Sequence, residues 1–91
     1  MQNLFRISSV GVLESVASNK EPGKTINRRT LVLQEMGGTY SDAFVCTAID
    51  KEATMELKAG QIVVASLRFS VQEYNGKNYQ DCFCRELIIL K

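Results

Sequence analysis

The sequence contains no histidine, no tryptophan and a single proline among its 91 residues. Histidine is the side chain whose ordinary pKa lies nearest neutral pH, so its absence removes the usual general base of an enzyme. No glycine-rich segment with the spacing of a phosphate-binding loop precedes a predicted helix. The acidic residues are scattered without the spacing of a carboxylate pair. We therefore predict a binding protein and not an enzyme.

Long apolar runs are absent as well. No stretch approaches the ~20 apolar residues of a membrane span. Met1 is followed by Gln-Asn-Leu-Phe-Arg, which lacks the basic start and the apolar run of a signal peptide. The three cysteines are an odd number, which is typical of reduced thiols and not of a disulfide framework. The sequence thus predicts a cytoplasmic protein with no membrane partner.

The cysteines do not form a recognisable metal motif. Cys82 and Cys84 would lie on the same side of a strand about 7 Å apart, too far for an easy disulfide. With Cys46 the chain offers three thiols and no histidine, so a tetrahedral zinc site lacks a fourth ligand. We interpret the cysteines as small core residues and predict no metal and no cofactor.

The overall composition is that of an ordinary globular domain, with 45% hydrophobic and 23% charged residues. A chain of this length predicts one domain over residues 1–91, because two separate cores would need more residues. The net charge of +1 is low for a dedicated nucleic-acid binder, since neutralising phosphates normally requires a positive excess. Nucleic acid is therefore a candidate ligand if the basic residues share one face.

The apolar pattern predicts five strands and one short helix. Gly11 interrupts the first strand and predicts a bend. Pro22-Gly23 predicts a tight turn, and Asn75-Gly76 is the strongest hairpin signal. Asp50 suits the N-cap of a helix of about two turns over residues 50–58, with Gly60 as its left-handed stop. The strands are predicted at residues 3–17, 26–36, 43–49, 61–74 and 79–90.

The predicted order is three strands, a helix and a two-stranded hairpin. This is the element order of an OB-fold, a partly open Greek-key barrel. The bend at Gly11 supports the interpretation, because the first strand of such a barrel pairs on two sides. The predicted fold class is therefore all-β, a five-stranded OB-fold barrel with a short helix between strands three and four.

Two segments carry a resemblance to known families. Leu57-Lys-Ala-Gly-Gln-Ile-Val-Val-Ala-Ser-Leu-Arg-Phe and Tyr74-Asn-Gly-Lys-Asn-Tyr-Gln-Asp resemble the second half of bacterial single-stranded DNA-binding proteins. The chain looks even more like small uncharacterised OB-fold proteins of Bacteroidetes, and the primosomal replication protein B group shares the architecture. The resemblance implies single-stranded DNA binding. The absence of tryptophan is a departure, because those binding proteins use that residue to stack bases.

The aromatic residues are the first candidates for contacts with bases. Phe83 is expected to point outward if Cys82 and Cys84 point inward, and it would then either stack on bases or pack in an oligomer. Tyr74 and Tyr79 flank the hairpin turn, where they would bind a strand or stabilise the turn as a cross-strand pair. The pattern does not single out two further phenylalanines as binding residues. Phe69 shares its side of the strand with apolar residues and is expected to be buried, and Phe44 could be either a base-contacting or a buried residue.

The basic residues are the second group of candidates. Lys20, Lys24, Arg28 and Arg29 lie in ten residues that contain a single acidic residue, Glu21. They cover the loop before the second strand and the start of that strand, a usual oligonucleotide surface of the fold. Arg6, Arg68 and Lys77 would extend this patch if the strands bring them together, and a solvated loop is the alternative interpretation.

The leading hypothesis is sequence-tolerant binding of single-stranded DNA, with RNA as the alternative strand. The second hypothesis is a protein-interaction module that pairs through a barrel edge, with strand one and the segment Leu87-Ile-Ile-Leu90 as its surface. A homo-oligomer, dimer or tetramer, is compatible with both. The predicted nucleic-acid-binding residues are Lys24, Arg28, Arg29, Arg68, Tyr74, Lys77, Tyr79 and Phe83.

Overall fold

The computed structural model describes residues 1–18, 21–37 and 41–91. Lys20, one of the predicted basic cluster, lies outside these ranges. Within them the chain forms six strands and one short helix. The strands are β1 (Gln2–Val10), β2 (Glu14–Ala17), β3 (Thr25–Glu35), β4 (Ala43–Ile49), β5 (Ile62–Tyr74) and β6 (Lys77–Ile89), and helix α1 (Lys51–Thr54) lies between β4 and β5.

Five of the strands close into a circuit. β1 pairs antiparallel with both β3 and β5, β3 pairs with β4, and β5 pairs with β6. A short parallel seam between β4 and β6 completes the circuit, where Thr47 pairs with Phe83 and Ala48 with Cys84. β2 pairs only with the first residues of β3. The predicted fold class, an all-β OB-fold with a helix after the third barrel strand, is confirmed.

The first barrel strand pairs on two sides, as expected for this fold. Phe5 and Arg6 have partners in both β3 and β5. The chain then bends at Gly11, whose N–H donates to the Thr30 carbonyl oxygen at 2.8 Å. A Cβ at this glycine would lie 2.9 Å from the same oxygen, so only glycine permits this approach. The single strand predicted for residues 3–17 was wrong, because the bend divides it into β1 and β2.

The helix is shorter than predicted. Of residues 50–58, only Lys51–Thr54 are helical. Asp50 makes no capping hydrogen bond with its side chain, because Oδ1 instead accepts a bond from the Asn27 backbone N–H at 3.3 Å. The following chain is extended, and it carries Leu57 into the core. The expected second turn is thus replaced by a segment that covers one end of the barrel.

Both predicted turns are confirmed. The Lys24 N–H donates to the Glu21 carbonyl oxygen at 3.2 Å, and Gly23 has φ 84°, as a type II turn requires. In the β5–β6 hairpin, Asn75 has φ 51° and Gly76 has φ 76°. Positive φ at both central residues is the signature of a type I′ turn, whose twist matches that of the flanking strands.

The β5–β6 hairpin continues beyond the barrel. Alternate β5 side chains are buried as far as Leu67, and burial ends there. Residues 68–82, here called the arm, form a two-stranded extension. Because of this extension, the radius of gyration of the chain is 14.1 Å, above the roughly 12 Å expected for a compact chain of this size. The prediction that Phe69 is a core residue was wrong, since it lies on the arm and is 36% exposed. Its ring packs edge-on against Phe44, with the centroids 6.1 Å apart.

The core fills the barrel with apolar side chains. Cys46 and Cys84 belong to it, as predicted, whereas Cys82 is only half-buried. A hydrogen bond to Cys84 and burial both raise the pKa of the Cys46 thiol, so this thiol stays protonated at neutral pH. The buried set is Phe5, Ile7, Leu31, Leu33, Cys46, Ala48, Ala53, Leu57, Val63, Ala65, Leu67, Cys84 and Leu87.

Candidate nucleic-acid interface

A row of side chains crosses four strands on the face that points away from the core. Residues directly opposite each other on neighbouring strands share a face of the sheet. Arg68 lies opposite Phe83, Phe83 opposite Thr47, and Thr47 opposite Thr30. Their neighbours in sequence include the buried Leu67, Cys84, Cys46 and Leu31, so the row itself faces outward. We call this side of the β3–β4–β6–β5 sheet the outer face.

The arm extends the outer face. Tyr74 lies directly opposite Lys77, and Tyr79 lies opposite Gln72, at even spacing from Arg68 and Phe83. Tyr74 is 69% exposed and Tyr79 51% exposed. The two tyrosines are not directly opposite each other, and among the described residues no ring contact joins them. They are diagonal neighbours on the same face, a separation that aromatic side chains can span, so the cross-strand pair stays an alternative interpretation.

A cavity of about 490 Å³ opens beside Phe83. Arg85 reaches it because the β5–β6 register shifts by one residue next to Leu67, which leaves Arg85 as the extra residue of a bulge. Glu52 of α1 forms another part of the wall. Neither charged residue was predicted as a site residue from the sequence. The lining residues are Ile49, Glu52, Arg68, Ser70, Phe83, Cys84 and Arg85.

The predicted basic cluster is less positive than its sequence indicates. Arg28 lies opposite Glu14 in the β2–β3 pairing, and its guanidinium lies 3.3 Å from the carboxylate. Lys24 forms an ion pair with Glu21 at 2.6 Å. The side chains in both pairs are at least half exposed, so each pair contributes little to stability. Each nevertheless offsets a charge that was expected to face phosphate.

Arg29 differs from its neighbour Arg28. It follows the core side of β3, lies opposite Ala48 and is half-buried. Its Nε is buried and has no hydrogen-bond partner among the residues that the structure describes. Both arginines line a smaller cavity of about 230 Å³ that also includes Thr30 and Thr47 of the outer row.

The structure therefore places the predicted residues in three groups. Five of them share the outer face of β5 and β6, two line the smaller cavity at β3, and Lys24 lies in the loop beside Glu21. The outer row connects the first two groups through Thr47 and Thr30. The five residues on β5 and β6 are Arg68, Tyr74, Lys77, Tyr79 and Phe83.

Within residues 1–18, 21–37 and 41–91, no group of three or more His, Cys, Asp or Glu side chains is placed to hold a metal ion. No helix in the same ranges is long and apolar enough to cross a membrane.

Comparison with known proteins identifies the fold. No protein-family model matches the sequence, and no curated protein matches it. The solution NMR structure of the second OB-fold domain of replication protein A from Methanococcus maripaludis is similar to the model with a TM-score of 0.71. The two sequences are 13% identical, and the match covers 99% of this chain and 82% of that one. The chain therefore has an OB-fold.

Proposed function

We propose that the chain binds single-stranded nucleic acid, DNA in the first instance, along the outer face. The observation that carries the proposal is the alignment of three aromatic and two basic side chains on one face of β5 and β6. Aromatic rings and basic side chains that follow a backbone are the two components of sequence-tolerant binding of single strands. The fold is also one that commonly binds oligonucleotides.

The spacing of the rings indicates that they contact different bases. Phe83 and Tyr79 are four residues apart on β6, which corresponds to about 13 Å along a strand. Arg68 lies beside Phe83 and Lys77 beside Tyr74, so each end of the surface combines a ring with a cation. A base stacked on the ring would leave its phosphate within reach of the adjacent cation.

Charge determines how strong this binding is. Arg68, Lys77 and Arg85 face the strand, but Asp81 and Glu52 lie on the same surface. The net charge of the whole chain is only +1. We therefore expect modest affinity, because few phosphates are neutralised. That affinity should fall with rising salt, because each phosphate contact releases counterions.

The proposal treats residues 1–91 as one binding domain that acts in the cytoplasm. It requires no catalytic group, cofactor or metal. Arg28, Arg29 and Lys24 would extend the contact toward β3 in a secondary role, because two of these cations already face carboxylates.

The test is a titration of the protein into fluorescently labelled oligo-dT, with duplex DNA of equal length as the control. We expect fluorescence anisotropy to rise for the single strand, to rise less at moderate salt, and to stay flat for the duplex. Flat curves for the single strand at low salt would contradict the proposal.

A second candidate function, self-assembly, rests on an apolar patch at the other end of the barrel sheet. Leu4 lies opposite Val64, and Val64 lies opposite Ile88, on the exposed side of β1, β5 and β6. Arg6 and Glu86 lie at opposite corners of this patch. A two-fold axis through the patch would therefore place each Arg6 against the partner's Glu86, and it would cover the apolar row. A dimer formed in this way leaves the arm free to bind a strand.

The substitution Ile88→Glu tests this assembly. Ile88 is 56% exposed, so the change should leave the fold intact while it places a charge in the interface. We expect light scattering to give an oligomeric mass for the original chain and a monomeric mass for the variant. Val12→Glu, at an exposed position away from the patch, should keep the oligomeric mass. A monomeric mass for the unaltered chain would exclude the assembly.

A further inference from the structure

We propose that Glu52 gives the cavity beside Phe83 a preference for bases that present an amino group, and among pyrimidines for cytosine over thymine. The inference rests on the proposed function and concerns one subsite of the outer face. Stacking on Phe83 would hold any base, and Glu52 would distinguish the edges of the bases. The binding would thus be tolerant along most of the strand and selective at one position.

The fold places Glu52 at this subsite. Helix α1 begins two residues after β4 ends, so its first turn lies next to the seam between β4 and β6. Ala53 is buried in the core and anchors the helix. Glu52 is half-buried and lines the same cavity as Phe83 and Arg68. The Glu52 side chain therefore belongs to the same cavity wall as the ring on which a base would stack.

Glu52 lines this cavity and also a second one beside Met55 and Leu87, and its carboxylate is unpaired among the described residues. The Cys84 thiol lines the same cavity, and a hydrogen bond from Cys46 lowers its pKa against the raising effects of burial and of the Glu52 charge. Among the described residues, Glu52 has neither a hydrogen bond nor an ion pair from its side chain. Its oxygens are therefore available as acceptors.

The chemistry of the bases then determines the preference. An ionised carboxylate only accepts hydrogen bonds. Cytosine presents the N4 amino group as a donor, whereas thymine presents the O4 acceptor at the same position. Glu52 would accept from the amino group and would repel the carbonyl oxygen. Arg68 and Arg85, which line the same cavity, supply donors for the neighbouring base acceptors or for phosphate.

The test compares labelled oligo-dC and oligo-dT of equal length by fluorescence anisotropy, at low salt and mildly alkaline pH. We expect the unaltered chain to bind oligo-dC about tenfold more tightly, as is typical of one directional base contact. In Glu52→Gln the side-chain amide offers a donor as well as an acceptor. We therefore expect the ratio of the two dissociation constants to fall to about twofold or less, chiefly through tighter binding of oligo-dT.

The matched control is Glu56→Gln. Glu56 is exposed and is not among the residues that line the cavity. This variant removes the same charge, so it should tighten both strands alike and keep the tenfold ratio. Equal binding of the two strands by the unaltered chain, or an unchanged ratio in Glu52→Gln, would overturn the role of Glu52 and leave the proposed function intact. A failure to bind either strand would overturn both.

Discussion

Arg68→Glu is expected to weaken the binding of single-stranded DNA by about tenfold to a hundredfold at low salt. Arg68 is exposed, lies opposite Phe83 and lines the cavity where the strand would pass. Loss of one charge-assisted hydrogen bond to phosphate costs about 1.5–3 kcal/mol. The reversed charge also repels the backbone. The slope of log affinity against log salt should fall by about 0.7, the contribution of one phosphate contact on a single strand.

Arg28→Glu is the matched control for this prediction. Arg28 is also an exposed arginine on the outer side of a strand, but it faces Glu14. We expect a smaller loss of affinity from this change than from Arg68→Glu, measured by the same anisotropy titration. Thermal unfolding of Arg68→Glu should match that of the original chain, and Arg28→Glu should unfold at a slightly lower temperature because its new carboxylate lies opposite Glu14. If Arg28→Glu lost as much affinity as Arg68→Glu, or more, we would conclude that the strand binds at β2 and β3 and not along the arm.

Phe5→Ala is expected to lower the free energy of unfolding by about 3–5 kcal/mol. Phe5 is fully buried, and its ring meets that of Phe44 edge-on with the centroids 5.9 Å apart. It also belongs to the part of β1 that pairs with two strands, so a cavity there weakens both sides of the barrel. Small domains have a total stability of about 5–15 kcal/mol, so this loss would remove a large share of it.

Urea denaturation of Phe5→Ala and of Phe69→Ala measures this difference. Both phenylalanines contact Phe44, but Phe69 lies on the arm and is partly exposed. We expect Phe69→Ala to lower the free energy of unfolding markedly less than Phe5→Ala does, because it removes fewer contacts and water already reaches the Phe69 ring. If both variants lowered the free energy of unfolding by similar amounts, the packing of the arm would stabilise the domain as much as the barrel core does.

The sequence predicted the parts of the fold that depend on local chemistry. Asn75 and Gly76 adopt the positive φ that their hairpin requires, and the Pro22-Gly23 turn closes with its expected hydrogen bond. The bend at Gly11 is also local, since it follows from the missing side chain. The extent of the helix was not predictable in this way. Asp50 had two possible partners, the helix N-terminus and Asn27, and only the folded barrel brings Asn27 within reach.

In the candidate site, too, the features set by local sequence were predictable and those set by the folded barrel were not. Alternation along β5 and β6 placed Arg68 and Phe83 on an exposed face, and their register confirms that they are neighbours. Alternation could not reveal that Glu14 would lie opposite Arg28, because that depends on the pairing of β2 with β3. Nor could it reveal Arg85, whose direction is determined by a bulge. Arg85 was missed because its position depends on the register between strands, and Glu52 was missed because only the fold brings α1 beside the β4–β6 seam.

The seam between β4 and β6 has a consequence for the rate of folding. It joins segments that are distant in sequence through only two residue pairs, so the chain loses much loop-closure entropy before these contacts form. The β5–β6 hairpin joins neighbouring segments through a two-residue turn. Such a hairpin forms in about 1–10 μs. Closure of the seam is then the late and slow event. Until it occurs, β4 and β6 expose unpaired edges, and it is in this interval that aggregation competes with folding.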